Sequence, residues 1–584
     1  MRVPTTRRLF AATVLIPLTT LVTTLATTAC PGPSVNLRPA DPTLTQAPQP
    51  VLPAAGTITA ADLQWRVYRI ADDSMRGRYP GTPGNTKVTA FVASEFRRFG
   101  LTPAGDSGTY FQRVPFVSTT LDTTSALSLA TGGALVLWRD YLPINMVVAA
   151  TRFDAAGVSA VYAGRLGDSS VTLPASAFDG RLVVYTMARR ADGSIDPRSA
   201  RYLPMARLAS AAAVAMIYPD GPPQALVDTY HQRRFGLPPK ASAHAPMLLV
   251  LKGTTADALF GASVASVAPG TVAAPALRGA VRFTGPDTVW ARNVVAILPG
   301  SDPVLKNEYV ALGAHNDHVG VAPRAVDHDS LRAYNILLAR HHLDGPSAGN
   351  PGAAHDSVPF VVNVDSLRRR SVPRRDSIFN GADDDGSGTA ALMAIAQAFA
   401  TSPTGPKRSI LFVSHAGEEQ GLLGSHWFAD HPTVPGDSIV AYLNMDMLGH
   451  GDSVDVAGGG PRYVQSGGAR HLSHEYGVLI DSVNAGLAEP MAIDYSWDAP
   501  GHPSQKYCRS DQVSYGRHGI PSAYFSTGYS VDYHQVTDEP KYLDYPHMAR
   551  VVRLVYAVAL RVANLDHAPI IDGPKPDPDA PCRQ

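Results

Sequence analysis

The apolar run VALGA at 310–314 stops abruptly at His315, Asn316, Asp317 and His318. An uninterrupted run of small and β-favouring residues reads as a strand buried on both faces, the habit of parallel sheets. Open α/β sheets collect their polar, ligand-facing residues at the carboxyl ends of such strands. Other segments repeat the pattern. SILFVSHAGEEQG passes from a strand into Glu418 and Glu419, and SIVAYLNMDMLG passes from a strand into Asp446. GADDDGSGTA sets Asp383, Asp384 and Asp385 directly before an apolar helix expected over 390–400, and VDYHQVTDEP places His534 in a polar loop. The chain is thereby constrained to an α/β fold, a mixed, mostly parallel sheet flanked by helices, with two histidines and several carboxylates on one edge.

Carboxylate and imidazole donors without thiolate suit a catalytic pair of divalent metals better than a structural zinc, which prefers closed, Cys-rich shells. Two Zn2+ ions are expected, with Co2+ or Mn2+ as substitutes. In a two-metal hydrolase one carboxylate bridges the ions, and a carboxylate that is not a ligand moves the proton of the attacking water. Adjacent Glu418 and Glu419 can divide those tasks, because neighbouring side chains leaving a strand point in different directions. His315 and Asp317, two apart, can lie on one side, so that the carboxylate orients the imidazole from behind.

At 584 residues the chain has room for two or three domains, and 50 basic against 50 acidic residues leave no net charge. That balance gives a nucleic-acid partner no electrostatic support. Residues 1–29 read as an export signal, with Arg7 and Arg8 ahead of an apolar, Thr-rich run. Cys30 resembles a lipoprotein processing site and so marks a lipid anchor, with ordinary signal cleavage as the alternative. The expected location is outside the cytoplasm: periplasmic, secreted or lipid-anchored at a bacterial cell envelope. A Pro-rich linker follows over 30–56, then the first part of the main domain over 57–138, opened by a Thr59 and Asp62 capping pair. Residues 139–277 read as a small β-rich insertion, with one helix expected over 206–213. The main domain resumes over 278–566, where LPGSDP is expected to join two strands as a hairpin-like loop, and 567–584 is a loosely ordered Pro-rich tail. With Cys30 set aside, Cys508 and Cys582 form a candidate disulfide that an exported compartment would permit.

GAHNDHVG, NGADDDGSGTA, SHAGEEQGLLGS, LNMDMLG and DYHQVTDEP, in that order, resemble the signatures of the co-catalytic zinc exopeptidases that include bacterial leucyl aminopeptidases and glutamate carboxypeptidase-like enzymes. RYPGTPG and the β-rich insertion resemble members with a protease-associated domain. By position, the resemblance implies that His315 and Asp446 hold one metal, Glu419 and His534 the other, and that Asp384 bridges them. Asp384 is chosen from the three because it stands three before Ser387 in the DxxSG frame. Glu418 is then the general base, Asp317 the orienter of His315, and Tyr533 a hydrogen-bond donor to the developing oxyanion.

The implied activity is removal of N-terminal residues from peptide substrates. A carboxypeptidase or dipeptidase on the same metals is the alternative, kept open by the Arg residues of a long excursion over 319–380. A glutaminyl cyclase-like acyltransferase and a non-catalytic receptor fit the complete ligand set less well. His318, His415, His426, His450 and His518 read as packed, capping or surface residues, and the excursion as a solvated surface insertion.

Overall fold

The 310–314 run forms the strand Tyr309–His315, buried at every position after Tyr309. It pairs in parallel with Ser409–His415 on one side and Ile439–Met445 on the other. Ser522–Ser526 adds a further parallel strand beyond Ile439–Met445, while Leu277–Leu298 lies antiparallel outside Ser409–His415. Alternate residues serve two cores, since successive strand side chains point to opposite faces. Val310, Leu312 and Ala314 join Ile410, Phe412 and Leu443 beneath the helices Ala60–Ile70, Pro83–Arg98, Gly388–Thr401 and Tyr545–Ala563. Ala311, Leu411 and Val413 pack against Phe428 and Tyr515 on the opposite face. Gly313 has no room for a side chain: a Cβ there would stand 2.0 Å from the Tyr442 hydroxyl, and the Tyr442 ring stacks on Tyr515 at 3.7 Å. The result is a mixed sheet flanked by helices, with the carboxyl ends of its parallel strands on one edge.

The computed structural model describes residues 57–584 except 145–149, 191–192, 232, 239–244, 342–362, 364, 366–367, 369–372, 454–455, 457, 503–504, 579, 581 and 583. The expected export signal, the linker and Cys30 lie outside the described residues. Among the described residues, no helix is long and apolar enough to cross a membrane.

Thr59 caps Ala60–Ile70 by accepting from the Asp62 amide, as the sequence pair implies. Two other local expectations fail. The Ala-rich stretch over 206–213 forms only a single turn at Met205–Arg207 before the strand Ala213–Tyr218, buried throughout. Of that stretch only Ala213 enters the sheet, at the start of a strand that lies between two neighbouring parallel strands. LPGSDP does not join paired strands either, because Ser409–His415 is inserted between Leu277–Leu298 and Tyr309–His315.

Within residues 141–273 the chain builds a separate six-stranded sheet. Its strands Ala160–Arg165, Leu182–Thr186, Ala213–Tyr218 and Met247–Lys252 are mutually parallel. Apolar clusters cover both of its faces. The chain leaves and re-enters the main sheet through Phe111–Leu121 and Leu277–Leu298, which pair antiparallel and close the excursion at its base.

Cys508 and Cys582 are bonded, with their Cα atoms 5.7 Å apart. The end of the tail is therefore held rather than loose. Gln584 adds hydrogen bonds to the Trp497 carbonyl and from the Tyr507 amide, at 2.5 and 3.0 Å.

Candidate metal centre

The loop after each central strand brings one part of the site to the carboxyl edge. His315 ends its strand with Nε2 3.2 Å from Asp384 Oδ1 and 3.9 Å from Asp446 Oδ1. His534 approaches from the opposite side, with Nε2 3.0 Å from Asp384 Oδ2 and 3.0 Å from Glu419 Oε2. Asp384 thus presents one oxygen to each histidine. Donor atoms of His315, Asp384 and Asp446 lie within 4.8 Å of one another, as do those of His318, Asp384, Glu419 and His534. His315 Nε2, Asp446 Oδ1 and His534 Nε2 are buried without a hydrogen-bond partner. Buried, crowded carboxylates facing orphaned imidazole nitrogens are the kind of donor set that binds a metal ion, and these residues form a candidate metal site.

The aspartate triplet shows how one carboxylate is selected. Asp385 turns back into the sheet and accepts from the amides of His315, Gly388 and Met447, at 2.9, 3.1 and 3.2 Å. Gly388 is required there, since a Cβ would stand 2.5 Å from Asp385 Oδ1. Asp383 accepts from the Gly449 amide at 2.6 Å and Ser387 Oγ at 3.0 Å. The Asp538 carboxylate receives the Asp383 and Asp384 amides, at 2.8 and 3.1 Å. Only the middle carboxylate is left to face the cluster. Beneath this turn the fully buried Arg78 guanidinium donates to the carbonyls of Ile70, Asn316, Asn380, Gly381 and Asp384.

Asp317 does more than stand behind His315. Its Oδ1 is 3.6 Å from His315 Nδ1, but its strongest contacts are the amides of Gly417 and Glu418, at 2.7 and 3.1 Å. It therefore ties the turn that carries Glu418 to the His315 strand. His315 Nδ1 is nearer the backbone carbonyl of Asp317, at 3.2 Å.

Glu418 and Glu419 diverge in environment. Burial pushes the Glu418 carboxyl well above its usual range, with the nearby charges of Glu419 and Asp446 adding to the rise against the pull of His315. Burial acts on Glu419 in the same direction, yet the His534 and His318 imidazoles hold it at about 2. Burial raises Asp446 to about 7. The two neighbouring glutamates are thus displaced in opposite directions from the ordinary carboxyl range.

His318 is not a bystander. It is fully buried, and its Nδ1 lies 2.7 Å from Glu419 Oε1, so it braces that carboxylate from the side away from His534. The only sequence signal was its position in HNDH, three after His315. His415, by contrast, packs behind the sheet against Phe428, Tyr442 and Tyr515. His426 bonds to the Leu422 carbonyl and His518 to Asp430.

Tyr533 stacks on the His534 ring at 3.9 Å and lines the pocket that also exposes Asp384, Glu418 and Asp446. All eight residues singled out from sequence, His315, Asp317, Asp384, Glu418, Glu419, Asp446, Tyr533 and His534, come together in this one region.

The described part of the excursion is not a solvated surface insertion. The side chain of Arg332, on the helix His328–His341, pairs with buried Asp532, while Arg374 and His328 reach Glu539 at 2.5 and 3.3 Å. The excursion so grips both ends of the loop carrying His534. These contacts, aided by Lys541, hold the Glu539 carboxyl at about 2 although burial opposes its charge. Its contribution to stability is therefore complete above the ordinary value of 4.5 and is lost as pH falls through about 2. Glu539→Gln is expected to cost about 1–3 kcal/mol at pH 7, the partly exposed Arg374 and Lys541 moderating the loss. Urea unfolding measures this, and an unchanged midpoint would show that the clamp does not stabilise the fold.

Comparison with known proteins gives this geometry relatives. Residues 293–559 match the model of peptidase family M28. Leucine aminopeptidase 1 of Trichophyton rubrum is 28% identical over 225 residues, 36% of this chain and 56% of that protein. Leucine aminopeptidase 1 of Paracoccidioides brasiliensis (strain Pb03) is 29% identical over 227 residues, 37% of this chain and 54% of that protein. The chain thus spans little more than half the length of these curated relatives. Among solved structures, an aminopeptidase from Aneurinibacillus sp. strain AM-1 aligns with 89% of this chain and 97% of its own, at 15% identity and a TM-score of 0.49. BSAP, a zinc aminopeptidase from Bacillus subtilis, aligns with 87% of this chain and 96% of its own, at 16% identity and a TM-score of 0.47.

Proposed function

We propose, from the match of residues 293–559 to the model of peptidase family M28, that the protein is a dinuclear metal-dependent exopeptidase that removes N-terminal residues from peptides. The observation that carries this reading is Asp384, whose two oxygens each face a different histidine, while the Glu418 carboxylate lies beside them, 3.9 Å from His315 Nε2. His315 and Asp446 would hold one ion, Glu419 and His534 the second, and Asp384 would be shared. Zinc suits this donor set, with cobalt or manganese as substitutes.

Bound there, the ions supply Lewis acidity toward a water molecule and the scissile carbonyl. The chain's own residues do the rest. Glu418 accepts a proton from the attacking water on a carboxylate oxygen and delivers it to the leaving amine nitrogen, a task for which a raised carboxyl is suited. Asp317 fixes the backbone from which Glu418 projects. The Tyr533 hydroxyl donates to the carbonyl oxygen as it gains charge, and stacking on His534 holds its ring in place. His318 keeps Glu419 turned toward its ion.

The same reading includes export from the cytoplasm, anchored through Cys30 or free. It takes the six-stranded domain as a protease-associated module beside the cleft. Metal analysis with a peptide panel tests the core of it. The expected outcome is about two ions per chain, as two-metal chemistry requires, with hydrolysis of C-amidated peptides that have a free amino terminus. N-acetylated peptides cleaved as fast would overturn the aminopeptidase assignment.

A further inference from the structure

The pocket that exposes the carboxylates is also lined by two cations, Lys506 and Arg509. Lys506 is 4% exposed, and it lines the same pocket as Asp384, Glu418 and Asp446. Its ammonium donates to a neutral acceptor, Gln465 Oε1, at 2.5 Å, and sits 4.3 Å from the ring centres of both Trp497 and Tyr529. Arg509 lies one turn further along, at the pocket rim, its guanidinium 5.1 Å from the Tyr529 ring centre. Among the described residues neither cation forms a salt bridge. The short helical turn Lys506–Arg509 is fixed covalently, because it contains Cys508 and so is bonded to Cys582.

Charge balance sharpens the point. On the reading proposed above, on which this inference rests, the carboxylates of Asp384, Glu419 and Asp446 are engaged with the two ions. Among the described residues no carboxylate pairs directly with Lys506 or Arg509, and Asp446 and Asp494 act on Lys506 only from beyond ion-pair distance. A buried ammonium held only by an amide oxygen and aromatic faces lacks the paired anion that buried charges normally have. An anion brought by the ligand would supply it, through charge-assisted hydrogen bonds on a wall already rigid.

We propose that Lys506 and Arg509 form a carboxylate-recognition subsite, so that the preferred substrate carries a carboxylate next to the scissile amide. Two sources share that chemistry: the side chain of an N-terminal Asp or Glu, and the free C-terminus of a short peptide. A neutral leucine-type side chain would leave both cations unpaired.

The test compares Glu-Ala-amide with Gln-Ala-amide and Asp-Ala-amide with Asn-Ala-amide on the metal-loaded protein, isosteres that differ in charge alone. A parallel arm compares unblocked dipeptides with neutral side chains, such as Leu-Ala, as free acids and as amides. A kcat/KM ratio of about tenfold or more for the charged member in the first arm identifies the side chain as the source, and in the second arm the C-terminus. Lys506→Met and the more exposed Arg509→Gln are expected to bring the winning ratio toward one. Turnover of neutral and charged members at equal rates in both arms would overturn the subsite while leaving the peptidase reading intact. If no peptide is cleaved, the peptidase reading fails, and calorimetric binding of the same pairs still decides the subsite. Tighter binding of the charged member, lost in Arg509→Gln, supports it, and equal affinities refute it.

Discussion

Glu418→Gln is expected to lower kcat by about 10²–10⁴-fold while the metal content stays that of the wild type. The amide keeps the size of the side chain and its place on the turn held by Asp317, but it cannot accept the proton of the attacking water. Because Glu418 stands outside the His315–Asp384–Asp446 and His534–Glu419 sets, its loss takes away no donor. The fall should appear in kcat more than in KM, since proton transfer belongs to the transition state. Near-normal turnover in metal-replete Glu418→Gln would remove this residue from its assigned role.

His534→Ala is expected to act on metal retention first and on rate as its consequence. Removing an outer partner of a ligand typically costs about 10–100-fold in metal affinity, and removing the donor itself should cost at least the upper end of that range. Elemental analysis after exhaustive dialysis should then fall from about two ions per chain toward one, as the donor sets require. The backbone adds a control. His534 has a φ of 54°, in the left-handed region that asparagine tolerates better than alanine. His534→Asn should therefore fold at least as well as His534→Ala while showing the same metal deficit. An unchanged metal ratio in both variants would sink the assignment.

Much of the sheet was legible in sequence because its information is local. A run such as VALGA ending at HNDH carries both the burial of the strand and the polarity of its exit, and the same holds before Glu418 and Asp446. The choice of Asp384 also had a local frame. What sequence hid was set by contacts between distant segments. Arg332 resembles any surface arginine until Asp532 is placed against it, and His318 gains its role from Glu419 across a strand crossing. Lys506 sits in a Pro- and Gly-bounded stretch that reads as an exposed loop, and its burial depends on Trp497, Tyr529 and a disulfide to the tail. At 206–213 the alanine-rich segment forms a turn rather than a helix, because it leads directly into the strand Ala213–Tyr218, whose place is set by its neighbours in the sheet.

Arg78 stands more than two hundred residues ahead of the stretch that matches the family, yet it stitches together the carbonyls on which the aspartate turn rests. A recombinant fragment trimmed to 293–559 would leave that keystone behind, together with the Phe111–Leu121 partner of the sheet's outer strand. Boundaries for expression should therefore be drawn around the whole interleaved body, and complementation by a separately supplied 57–121 peptide would be the way to restore a shortened chain.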